Sequence, residues 1–155
     1  MVHKTAVFGE PASKICNVAA GATTINPGEP VTRALGGITV TAMATNKPVV
    51  ATDYLEGIAV TTSNQTASAA GTVEVLPLLP GTIYKIKPNA IANWDTQAEY
   101  DALVGKRLLL DLTAGVYTIL STDGATYGCV VEPLDISKNP GYVAFSFRNG
   151  VSVLS

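Results

Sequence analysis

Tyr142-Val143-Ala144-Phe145-Ser146-Phe147 is the stretch on which the fold class turns. Val143, Phe145 and Phe147 recur at every second position, the period of a strand that buries one face. Asn149-Gly150 follows, and this pair tolerates φ > 0 at both central positions of a tight hairpin, so residues 151–154 read as the returning strand. Working back toward the N-terminus, the same alternation recurs. Residues 126–132 and 116–121 read as strands on either side of Asp123-Gly124, a second hairpin signal. Leu108-Leu109-Leu110 reads as a buried strand, and residues 82–87 as another beyond Pro80-Gly81. Further back, residues 72–76 place Val73 and Val75 on one face, residues 57–61 repeat the pattern, and Ile38, Val40 and Ala42 alternate with Thr39 and Thr41.

One helix interrupts the strands. Thr96-Gln97-Ala98-Glu99 has capping-box spacing, in which the threonine oxygen and the glutamate carboxylate each satisfy an orphan amide. Tyr100, Leu103 and Val104 supply its apolar face, Gly105 its stop, and Trp94 packs against it from outside. Eight to ten short strands with one short helix predict a mainly β domain, a compact β-barrel or β-sandwich; alternation alone does not separate the two. No repeat of fixed period is evident.

The first 30 residues differ in character. Phe8-Gly9-Glu10-Pro11 and Asn26-Pro27-Gly28-Glu29-Pro30 are turn-rich, and proline biases its predecessor toward extended backbone. Residues 1–30 are therefore expected to form an extended arm with one short strand near Ile15, and residues 31–155 a single β-rich domain. Val7, Phe8, Ile15 and Ile25 are the arm's candidate contacts with a partner. The polar, small-residue loop at 63–71, with Ser63, Asn64, Gln65 and Thr66, is the second candidate interface, because small side chains let another backbone approach closely. On this reading, deleting residues 1–27 leaves the β-fold intact and weakens assembly.

Composition narrows the function. Of 155 residues 47% are hydrophobic but only 14% charged, well below the roughly 25% of an average globular chain. Such a shortage of charge implies surface that other chains cover. Ten basic and 12 acidic residues give a net charge of −2, with no basic tract, so nucleic acid is not an expected partner. No stretch approaches the ~20 apolar residues of a membrane helix, and residues 2–8 lack a signal-peptide core, so the chain reads as cytosolic at synthesis, with no membrane partner. Cys16 and Cys129 read as small buried hydrophobes; whether they pair is left open.

Catalytic chemistry has little to work with. His3 is the single histidine, which argues against Ser-His-Asp and Cys-His triads, and Cys/His clusters at zinc spacing and phosphate-binding glycine loops are missing. Asp95, Glu99 and Asp101 are accounted for by the helix start, and Asp123 by its turn. Asp53 and Glu56, flanking Tyr54-Leu55 in what reads as a connection, are a weak cation candidate without EF-hand spacing. Asn64-Gln65-Thr66 matches a glycosylation sequon, but without a secretory signal the match reads as accidental. Trp94 with Asn93 and Asp95 is the one trio suited to a sugar. No catalytic, metal or cofactor residue is assigned, and the chain is expected not to be an enzyme.

Several stretches resemble tailed-phage head decoration (capsid cement) proteins: Gly28-Glu29-Pro30-Val31 opening a strand, Gly57-Ile58-Ala59, and Gly71-Thr72-Val73-Glu74-Val75 after a small-residue loop. The likeness spans residues 28–76. It implies a non-enzymatic virion structural protein that binds the exterior of a phage capsid, with the major capsid protein as partner, and stabilises the shell as a homo-oligomer, a trimer being favoured. Many weak contacts on a repeating lattice gain from avidity. A tail, baseplate or head-fibre component is the alternative of the same class, and a carbohydrate-binding β-sandwich module the alternative of another.

Overall fold

A computed structural model describes residues 12–148, apart from 35, 51, 79 and 80. Eleven strands and one α-helix lie among these residues, so the molecule is mainly β. Strands β1 (Lys14–Val18), β2 (Pro30–Arg33), β3 (Val40–Ala42), β4 (Tyr54–Ala59) and β5 (Gly71–Leu76) form an antiparallel sheet in the order β1-β5-β4-β2-β3. Strands β6 (Tyr84–Ile86), β7 (Arg107–Leu108), β10 (Cys129–Val131) and β11 (Val143–Phe147) form a second, ordered β6-β11-β10-β7. Strands β8 (Leu110–Thr113) and β9 (Val116–Ile119) make a separate hairpin. The sheets do not close into barrels, and the arrangement is that of a sandwich. A single parallel bridge, Asn17 to Thr39, brings the two ends of the five-stranded sheet together at one point.

Two hydrophobic cores result. The larger lies between the sheets: Leu108, Cys129, Val131, Val143 and Phe145 come from the second sheet, Leu110 and Ile119 from the hairpin, Leu55 from β4 and Tyr100 from the helix. The smaller lies within the curl of the five-stranded sheet and comprises Val18, Ile25, Val31, Val40, Ala59, Val73 and Val75. Strand alternation explains the division, since Val73 and Val75 face the inner core while Thr72, Glu74 and Leu76 face out.

β4 serves both cores, which a regular strand cannot do. Its register against β2 shifts between Val31 and Thr32, so that Glu56 is an extra residue at a β-bulge. The bulge lets Leu55 and Ile58, three residues apart, both pack on the larger core while Ala59 enters the smaller one. Gly57 makes the bulge possible. Its φ is +153°, and a Cβ there would collide with the Leu76 carbonyl oxygen.

The helix α1 (Gln97–Leu103) has its expected capping box: the Glu99 amide donates to the Thr96 hydroxyl at 3.3 Å, and the Thr96 amide to the Glu99 carboxylate at 3.2 Å. Trp94 is buried and meets Tyr100 edge-on at 5.8 Å between ring centroids. The Tyr100 hydroxyl then donates to the Glu132 carbonyl at 2.8 Å and accepts from the Ala144 amide at 2.9 Å, fastening α1 to the second sheet.

Several expectations need correction. Asp123-Gly124 does not turn a hairpin: β9 pairs with β8, and β10 with β7 and β11. The tight turn is at Ala114-Gly115, while Asp123 accepts the Arg107 amide at 2.9 Å and seals the edge of β7. Of the three leucines, Leu108 ends β7 and Leu110 begins β8 in a different sheet, with Leu109 between the two strands. Residues 54–56, read as a connection, are strand. The short strand expected near Ile15 is β1, which pairs with β5 along five residues, and Ile25 is fully buried. Deleting residues 1–27 would remove part of the smaller core. The Asn149-Gly150 turn and residues 151–154 lie outside the described residues.

Candidate functional site

Residues 19–28 and 61–70 meet at one end of the five-stranded sheet. Ser63 joins them: its amide donates to the Ile25 carbonyl at 2.9 Å, and its hydroxyl accepts the Ile25 amide at 2.8 Å. The Gln65 amide group donates to the Ala22 carbonyl at 3.0 Å, and the Gly21 amide to the Thr66 carbonyl at 2.9 Å. The Asn64 side chain accepts the Thr72 amide at 2.7 Å, and Thr66 accepts the Ala69 amide at 3.0 Å. At Gly71 a Cβ would strike the Gln65 amide and the Asn64 side chain, so glycine there lets the loop fold back on its own strand.

The surface left outside is uncharged. Thr61, Thr62, Asn64, Thr66, Ala67, Ser68, Ala69 and Ala70 are exposed, as are Ala19, Ala20, Gly21, Thr23 and Thr24. The charges carried by the described residues before Tyr84 are bound within the chain. Lys14 and Arg33 both pair with Glu56, and Lys47 with Asp53 at 2.7 Å. Glu29 accepts the Asn26 amide at 2.8 Å, and Glu74 accepts the Ser13 hydroxyl. Beside this end lies a row of exposed aliphatics on the outer face of β1, β5 and β4, with Glu74 among them. Ile15 stands opposite Glu74, the Val60 amide donates to the Glu74 carbonyl, and Leu76 lies two residues on. Ile15 is 68% exposed, Val60 42% and Leu76 39%.

The sequence candidates thus divide. Ile15 is exposed and belongs to the row of aliphatics. Ile25 and Ser63 are buried, which removes both from a partner surface; each holds the end together instead. Asn64 and Thr66 are exposed, and Gln65 is half-buried. Val7 and Phe8 lie outside the described residues. Sequence reading missed Val60 and Leu76, although alternation against Val73 and Val75 marks Leu76 as outward-facing.

The remaining polar candidates have structural work. Asp53 and Glu56 bind different cations and do not converge. Glu99 closes the capping box, and Asp101 accepts the Gln97 side chain at 2.7 Å. Gln97, Asp101, Leu134 and Asp135 line a shallow, open depression, where the Gln97 amide is already spent on the Leu134 carbonyl and the Ile136 amide. Trp94 is only 4% exposed, so its ring offers no platform for a sugar. Cys16 borders the smaller core and Cys129 is buried in the larger; both are free thiols. Burial pushes both thiols up, and for Cys16 the nearby Lys14 opposes the rise. Among the described residues, no three His, Cys, Asp or Glu side chains gather as metal ligands would, and no helix is long and apolar enough to cross a membrane.

No protein-family model, curated protein or solved structure matches the chain.

Proposed function

We propose that this protein is a non-enzymatic structural component of a virion, a decoration protein that binds the outer surface of a phage capsid and stabilises it as a homo-oligomer. One observation carries the reading: Lys14, Arg33, Glu56, Lys47 and Asp53 are paired with one another, leaving a small-residue end with few free charges, flanked by exposed aliphatics. Such a face loses little by desolvation when another protein covers it, because burying an unpaired charge is what makes association costly. It also allows close backbone approach, and identical weak contacts repeated over a lattice add up through avidity. The major capsid protein is the proposed partner.

The test is the copy number of the protein in purified particles from its source, by quantitative mass spectrometry. Hundreds of copies in fixed ratio to the shell protein are expected. A handful would assign it to the tail or baseplate, and absence from particles would overturn the virion reading altogether.

A further inference from the structure

We propose that Lys14, Glu56 and Arg33 form a clamp on β1, and that β1 opens as a unit while the larger core stays closed. Glu56 stands at the β4 bulge with its side chain only 4% exposed, and it receives Lys14 from β1 and Arg33 from β2. In the sheet order β1-β5-β4-β2-β3, Lys14 therefore reaches past β5 to a strand it does not pair with. The inward positions of β5 are Val73 and Val75, and those of β3 include Val40, so Lys14 and Arg33 are the charged side chains that meet Glu56. A buried carboxylate depends on its partners, and removing one of two leaves part of the cost of its lost hydration uncompensated.

What makes the opening local is the division of the cores. β1 contributes Val18, with Cys16 packed alongside, to the smaller core and nothing to the larger. Detaching β1 thus uncovers Val73 and Val75 but leaves the contacts of Leu108, Val131, Val143 and Phe145 as they were. The next anchors along the chain are the Gly21 amide, which donates to the Thr66 carbonyl, and the Ala22 carbonyl, which accepts the Gln65 side chain. Release up to that point frees residues 12–20, about 30 Å of contour. On the lattice-binding reading, this gives the N-terminal segment its reach to a neighbouring subunit; the clamp itself does not depend on that reading.

Hydrogen exchange followed by mass spectrometry on the intact protein, its Lys14→Met variant and its Glu56→Gln variant tests the proposal. In the unaltered protein, peptides covering 14–18 and 71–76 are expected to exchange together, and before those covering 129–131 and 143–147. Lys14→Met keeps the apolar stem and removes the cation. It should speed exchange of the first two peptides by about tenfold or more and leave the last two unchanged. Glu56→Gln should do the same. A common exchange rate for all four peptides in the unaltered protein would overturn the proposal, even if neither variant folds. So would a Lys14→Met protein whose β1 is as protected as before. Neither readout involves particles, so failure of the decoration role and failure of the clamp are separately visible.

Discussion

Ile15 and Ile25 carry the same side chain ten residues apart in one turn-rich segment, yet one is 68% exposed and the other fully buried. The difference comes from what each meets. Ile15 faces out from β1 opposite Glu74, whereas Ile25 is drawn into the smaller core by a pair of hydrogen bonds to Ser63. Truncating Ile25 leaves a cavity, so Ile25→Ala should cost about 2–5 kcal/mol of stability, while Ile15→Ala should stay within about 0.5 kcal/mol. Urea unfolding midpoints of the two variants compare them directly, and equal losses would mean that Ile15 is a core residue after all.

At the level of elements, the helix and the β8–β9 hairpin make opposite cases. α1 begins where its capping box says it should, because both partners of that motif lie within four residues and depend on nothing distant. The hairpin closes through Ala114 and Gly115, both at positive φ (51° and 78°), the conformation of a type I′ turn. Alanine is a poor residue for that region, since its Cβ crowds the backbone. It is held there because Leu110 and Ile119 must both reach the larger core. Ala114→Asn should therefore raise stability by about 0.5–1 kcal/mol, measured by thermal unfolding. A loss of stability would show that the turn is not under strain at Ala114.

For the molecule as a whole, the response to acid turns on carboxylates that lie after Tyr84 in the chain. Among the described residues before Tyr84, five charged side chains form ion pairs and Glu29 and Glu74 accept hydrogen bonds, whereas several later carboxylates are held below their ordinary range. Asp135 is lowered to about 2 by the Ser137 hydroxyl and by Lys138. Asp111 is lowered by the hydroxyls of Thr45 and Thr113, and Asp123 chiefly by the Arg107 amide. Groups whose pKa is lower in the folded state stabilise it above the unfolded carboxylate value of about 4, and that contribution fades as pH falls toward about 2. Asp95 shifts the other way through its hydrogen bond with Glu99, but Glu99 is lowered in turn, so this pair does not reverse the trend. The melting temperature should therefore fall between pH 4 and pH 2, more gently in Asp135→Asn than in the unaltered chain. An unchanged slope in that variant would remove Asp135 from the account.

The sequence by itself determined the mainly β class, the capped helix, the strand at 143–147 and the shortage of charge, since each is a property of neighbouring residues or of composition. It also placed a short strand near Ile15, which is β1, but turn-rich local sequence does not reveal that β5 is waiting to pair with residues 14–18. The Asp123-Gly124 reading failed for the same reason: its local preference is real, but the strands it would join find better partners elsewhere. Only the tertiary structure decided the division into two cores, the bulge that lets β4 serve both, and the burial of Glu56 between Lys14 and Arg33. These rest on contacts between residues far apart in the chain, and which of many compatible pairings wins is settled by how the apolar faces pack together, information that no local pattern contains.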